Sequence, residues 1–141
     1  MKKLITFTVC GILLLLQGCE TTTLDNKQLV TNFYKEVLIN RNVVNIDHYI
    51  GDTYIQHNPY VADGKNALVG FIKTLPKINN KSIKGEIVRI IAEDDLVVLH
   101  VRNPSRNAIV DIFRVKNNKI VEHWDVIQAI PKKSANSNTM F

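Results

Sequence analysis

The stretch that decides the fold is DIFRVKNNKIVEHWD, Asp111 to Asp125. Two runs rich in Val, Ile and aromatic residues flank Asn117 and Asn118, the pattern of a β-hairpin. Loop length sets which side chains share a face, because a slip of one residue turns a strand over. A two-residue turn at Asn117 and Asn118 would pair Val115 with Ile120 and put Phe113 beside Glu122 and Asp111 beside Trp124. A three-residue loop, with Asn118 left-handed as a bulge, would pair Val115 with Lys119 and set Asp111 opposite His123. The second register groups Ile109, Asp111, Phe113 and Val115 with Val121, His123, Asp125 and Ile127, and brings Arg114 near Glu122 on the other face. That charge pair favours it, since the first register leaves Glu122 against Phe113. Three ionisable groups, Asp111, His123 and Asp125, then lie on an otherwise apolar face, as in the lining of a pocket. The competing expectation is a wetted rim with no chemistry.

Outward from the hairpin, residues 82–130 are rich in Val and Ile. Turn signals at Glu93 to Asp95, Asn103 to Asn107 and Asn117 to Asn118 break them into four consecutive antiparallel strands. Upstream, Leu29, Val30, Phe33, Val37 and Leu38 recur at helical spacing after Asp25, a candidate N-cap, and this helix ends near Asn40 to Asn42. A short helical turn is expected in VVNIDHYI, a strand in DTYIQHNP, and a helix from about Lys65 to Leu75, stopped before Pro76. Helices first and a strand meander afterwards predict an α+β domain, a curved antiparallel sheet wrapped round the N-terminal helices as a cone whose open end holds a small molecule.

The chain opens MKKLITFTVCGILLLLQGCE. Two lysines, an apolar run from Leu4 to Leu16 and a small residue before a cysteine have the form of a secretory signal, too short to span a bilayer comfortably. LLQGC resembles the lipobox of bacterial lipoproteins, which implies cleavage before Cys19 and lipidation of Cys19. The expected division is a signal at residues 1–18, a lipidated tether at 19–24, a domain at 25–131 and a polar tail at 132–141, frayed or docked through Met140 and Phe141. The expected location is the bacterial cell envelope, outside the cytoplasm and anchored to the membrane through Cys19. Cys10 leaves with the signal, so no disulfide framework is available. Loss of Lys2 and Lys3 leaves 16 basic residues against 13 acidic ones. So weak and dispersed a charge excludes a nucleic-acid footprint.

YIQHNP, the following DG and VDIFRVKNNKIVEHWDVIQ together resemble the SnoaL-like branch of the nuclear transport factor 2-like superfamily, which contains polyketide cyclases, over about Asp25 to Pro131. The resemblance implies a cone-shaped α+β barrel, often a homodimer, with no metal and no organic cofactor. In the cyclases a carboxylic residue moves a proton in an aldol closure, and Asp125 matches that role. Ketosteroid isomerases offer a second comparison: their D-x-x-R strand resembles DIFR, matching Asp111 to an aspartate that donates a proton to an enolate oxygen. Their base falls here at Asn58, which argues against steroid isomerisation.

The chemistry expected of such a pocket is proton abstraction beside a carbonyl, with Asp125 as base next to His123 and with Asp111, or Tyr54 and His57, donating to the developing oxyanion. The candidate catalytic residues are therefore Asp125, His123 and Asp111. Tyr54, His57, Asn58, Phe113 and Ile127 are candidates for binding a small apolar or carbonyl-bearing molecule. Strand alternation sets Tyr54, Gln56 and Asn58 on one face and Ile55 and His57 on the other, so both sets cannot line one pocket without a bulge. His100 is expected on the outer face and Trp124 turned away from His123. The histidines are too dispersed for a metal-ligand signature. A tethered binding module without turnover, or a protein that docks a partner on its sheet exterior, are the competing functions.

Overall fold

The computed structural model describes residues 17–76 and 85–141; the Leu4–Leu16 run therefore lies outside the described residues. Among those described, no helix is long and apolar enough to cross a membrane. Helix α1, Gln17–Phe33, continues into a π-helical segment, Tyr34–Ile39. The stretch 19–24 expected as a tether is thus helical, and Asp25 lies inside the helix rather than at its start. CETTTLD contains no Gly or Pro to stop the helix.

A single turn, α2 (Ile46–Tyr49), leads into β1 (Ile50–Gln56). Helix α3, Lys65–Thr74, ends where expected, with Leu75 extended before Pro76. The four remaining strands, β2 (Glu86–Glu93), β3 (Leu96–Asn103), β4 (Asn107–Lys116) and β5 (Lys119–Ala129), form the expected antiparallel meander. The sheet order is β1-β5-β4-β3-β2, with β1 parallel to β5 at one edge. Leu29, Val30, Phe33, Tyr34 and Val37 are buried from the helical side against Val97, Leu99 and Val101 of β3 and Phe113 and Val115 of β4. His100 faces outward, as alternation predicts. It stacks on Phe141 at 5.2 Å, and the Arg102 guanidinium sits 4.4 Å from the centre of that ring, so the tail docks on the outer face of β3.

The hairpin corrects the expected loop. Asn117 and Asn118 both have positive φ, 50° and 57°, and form a two-residue turn that pairs Lys116 with Lys119 and Val115 with Ile120. A β-bulge follows at once: Val121 is left without a partner and Arg114 pairs with Glu122, then Phe113 with His123 and Asp111 with Asp125. Ile120, fully buried, takes the inner place expected for Val121, which is only partly buried. The tight turn satisfies the backbone and the bulge restores the facing. Asp111, His123 and Asp125 therefore still point inward, with Asp125 rather than His123 opposite Asp111. On the outside Arg114 Nε donates to Glu122 Oε2 at 2.9 Å, as anticipated.

Candidate functional site

The concave face of the sheet, the π-helical segment and α3 enclose a cavity of about 610 Å³. Its buried wall carries the aromatic Phe33, Tyr34, Tyr54 and Phe113 beside the aliphatic Leu68, Val101 and Ile109, while Phe71 and Ile127 stand half-exposed at the mouth. The helix widens to π geometry at Tyr34, and Tyr34, Leu38 and Ile39 of that segment line the cavity. π-helical turns occur often at functional sites.

Asp111 and His123 are the buried polar residues of the inner wall. His123 Nε2 lies 3.1 Å from Asp111 Oδ1, its Nδ1 lies 3.0 Å from Gln56 Oε1, and its ring stacks on Phe113 at 4.7 Å. Gln56 Oε1 also accepts the backbone N–H of Asn58 at 2.9 Å, which identifies it as the amide oxygen. His123 Nδ1 must therefore donate to it, and the contact with Asp111 holds one proton shared between carboxylate and imidazole. Asp111 Oδ2 is buried with no hydrogen-bond partner among the described residues. A buried orphan oxygen is costly unless a ligand or water meets it.

Asp125 is held differently. Asn58 Nδ2 reaches both of its oxygens, at 2.9 and 2.7 Å, and Asn58 Oδ1 accepts from the Tyr60 backbone N–H at 2.8 Å, which fixes the amide's orientation. The expected pairing of His123 with Asp125 is therefore replaced by two separate arrangements, Asp111–His123–Gln56 and Asn58–Asp125. Gln56 Nε2 donates to the Tyr54 hydroxyl at 3.2 Å, leaving the phenolic proton for the cavity. Burial, followed by the charges of Asp111 and Asp125, pushes the Tyr54 pKa well above its ordinary value. Tyr34 is raised too, first by burial and then by the charge of Asp111 and a hydrogen bond to its carboxylate. Both phenols stay protonated donors.

Tyr54, Asn58, Phe113 and Ile127 all line the cavity as expected, but His57 does not. The parallel ladder sets Gln56 beside His123, and the His57 backbone N–H donates to the His123 carbonyl at 2.9 Å, so the next side chain turns outward. On that outer face the His57 ring lies flat on Trp124 at 4.7 Å and its Nε2 meets Glu122 Oε1 at 2.9 Å. Trp124 points away from His123, as expected. Folding does bring Asp111, His123 and Asp125 together, with one ligand-type atom of each within 4.8 Å of the others. One imidazole and two carboxylates are a donor set that could meet a divalent cation, with the His123 ring oriented by its Nδ1 contact to Gln56. Sequence reasoning placed Gln56 on the correct face and gave it no role; it missed Tyr34 and Arg41, which the helix end carries into the wall.

Solved structures share this architecture. They include a protein assigned as a polyketide cyclase from Acidithiobacillus ferrooxidans (19% identity, 73% of this chain and 87% of that one, TM-score 0.58). An LEH-like epoxide hydrolase from M. tuberculosis (16%, 76% and 85%, 0.59) and a SnoaL-like protein of unknown function from Burkholderia thailandensis (13%, 74% and 95%, 0.60) are similar too. At these identities the likeness shows the fold alone. No curated protein matches the sequence. Residues 30–123, two-thirds of the chain from the end of α1 to His123 in β5, match the SnoaL-like domain family, and the chain belongs to that family.

Proposed function

We propose that this domain catalyses proton transfer beside a carbonyl of a small, largely apolar molecule, without a cofactor. The observation that carries the proposal is the placing of an Asn58-held carboxylate, Asp125, at one apolar cavity with a Tyr54 hydroxyl whose proton is unspent. Asp125 takes the proton from carbon and Tyr54 donates to the oxygen that becomes an enolate, while the Asp111–His123 pair forms the adjoining polar wall. Withdrawal of a donor of this kind costs about a hundredfold or more in rate. Enclosure by Phe33, Phe113 and Tyr34 keeps water from competing for these bonds.

The test is deuterium wash-in at the carbon beside the carbonyl of small cyclic ketones such as 2-tetralone, followed by NMR in D2O. Exchange above the solvent rate is expected with the parent protein, lost in Asp125→Asn and about a hundredfold slower in Tyr54→Phe. Binding of the ketones with exchange equal to that of Asp125→Asn would make the domain a binding module instead. The form of the N-terminus supports a lipid anchor on Cys19 and a place in the cell envelope. Metabolic labelling with a fatty acid that disappears in Cys19→Ser is the expected result, and label retained in that variant removes the anchor.

A further inference from the structure

One group in the cavity wall takes no part in the proton-transfer scheme. Arg41 follows the π-helical segment in a left-handed conformation, φ 58°, and its side chain lines the same cavity as Tyr34, Asp111 and Asp125. Among the described residues it forms no ion pair with a carboxylate, whereas Arg102 and Arg114 are each paired on the outer face. One amino group, Nη1, donates to the Leu38 carbonyl, and Nε is buried with no partner. The Arg41 side chain is partly buried at the cavity wall with no anion beside it, and burial lowers its pKa from the ordinary value. The Tyr34 hydroxyl senses both ends of the cavity, raised by Asp111 and Asp125 and lowered by Arg41.

We infer that Arg41 is an anion-binding subsite and that the molecule the cavity takes is an apolar carbonyl compound carrying a carboxylate. The fork of the guanidinium matches a carboxylate, and the side chain that carries it lines the cavity. With the carboxylate held there, an apolar body fills the aromatic part of the cavity and the carbonyl is directed toward Tyr54 and Asp125. The inference rests on the proposed function for the carbonyl, but not for the anion.

The test compares 2-naphthoate with its neutral counterpart 2-naphthamide by isothermal titration calorimetry on the full chain. The parent is expected to bind the acid about tenfold more tightly than the amide, as for one charge-assisted contact. Arg41→Met should lose that preference while keeping the affinity for the amide, and Arg41→Lys should keep part of it. Raising the salt concentration with the parent protein should weaken only the acid, a readout that needs no variant to fold. An equal affinity of the parent for acid and amide, or an Arg41→Met variant that keeps the preference, overturns the inference. Asp125→Asn separates it from the proton-transfer proposal: the acid preference should persist there while deuterium exchange is lost.

Discussion

Removal of His123 exposes how the site is held together. Its side chain and that of Asp111 are 9% and 6% exposed, so each helps compensate the other's burial, beside Gln56 on the imidazole and Tyr34 near the carboxylate. His123→Ala takes the partner from Asp111 Oδ1 while Oδ2 already has none, and it removes the ring that stacks on Phe113. Stranding one member of a buried pair costs about 3 to 5 kcal/mol. Against a domain stability of about 5 to 15 kcal/mol, that is about a fifth of the total or more. Asp111→Ala should cost a similar amount by stranding the imidazole. The double variant leaves a cavity but no stranded charge, so its cost should fall short of the sum of the singles by about 2 to 3 kcal/mol. Urea unfolding followed by the fluorescence of Trp124, the single tryptophan, measures all four proteins. A coupling below about 0.5 kcal/mol would refute the shared-proton pair, because independent residues add within that margin.

Three further outcomes follow from the hairpin, its outer face and α2. Asn118→Ala places an ordinary side chain at φ 57° and should cost about 1 kcal/mol in urea unfolding, whereas Asn118→Gly should not destabilise. Glu122 is held below its ordinary pKa, first by the hydrogen bond from His57 and then by Arg114. A carboxylate depressed by folding contributes stability above its unfolded pKa and loses it as pH falls through the folded value, so the loss lies below about pH 4. Glu122→Gln should flatten that part of the acid-unfolding curve, and an unchanged curve would remove the assignment. The Tyr49 phenol, pushed up to about 12 by its hydrogen bond to Glu36, should titrate late in near-ultraviolet absorbance, and Tyr49→Phe should lose the amplitude near that pH while the later Tyr34 and Tyr54 contributions remain.

Local pattern carried much of this protein. Period-two alternation and paired turn residues located the four meander strands, helical spacing located the buried stripe from Leu29 to Val37, and alternation set Tyr54, Gln56 and Asn58 apart from His57. It also grouped Asp111, His123 and Asp125 on one face, because facing depends only on whether the offset between strands is odd or even. Partnership needs the offset itself, and that was settled by a tight Asn117-Asn118 turn offset by the bulge at Val121. From that register came the opposition of Asp111 to Asp125, and from the parallel seating of β1 against β5 came the Gln56 contact that sets the proton on His123. Tyr34 and Arg41 reached the wall through a change of helical pitch and a left-handed turn, features without a periodic signature. Side-chain alternation is written residue by residue along the chain, whereas the partners of a buried charge are chosen by contacts between segments distant in sequence, which exist only once the sheet has closed around the helix.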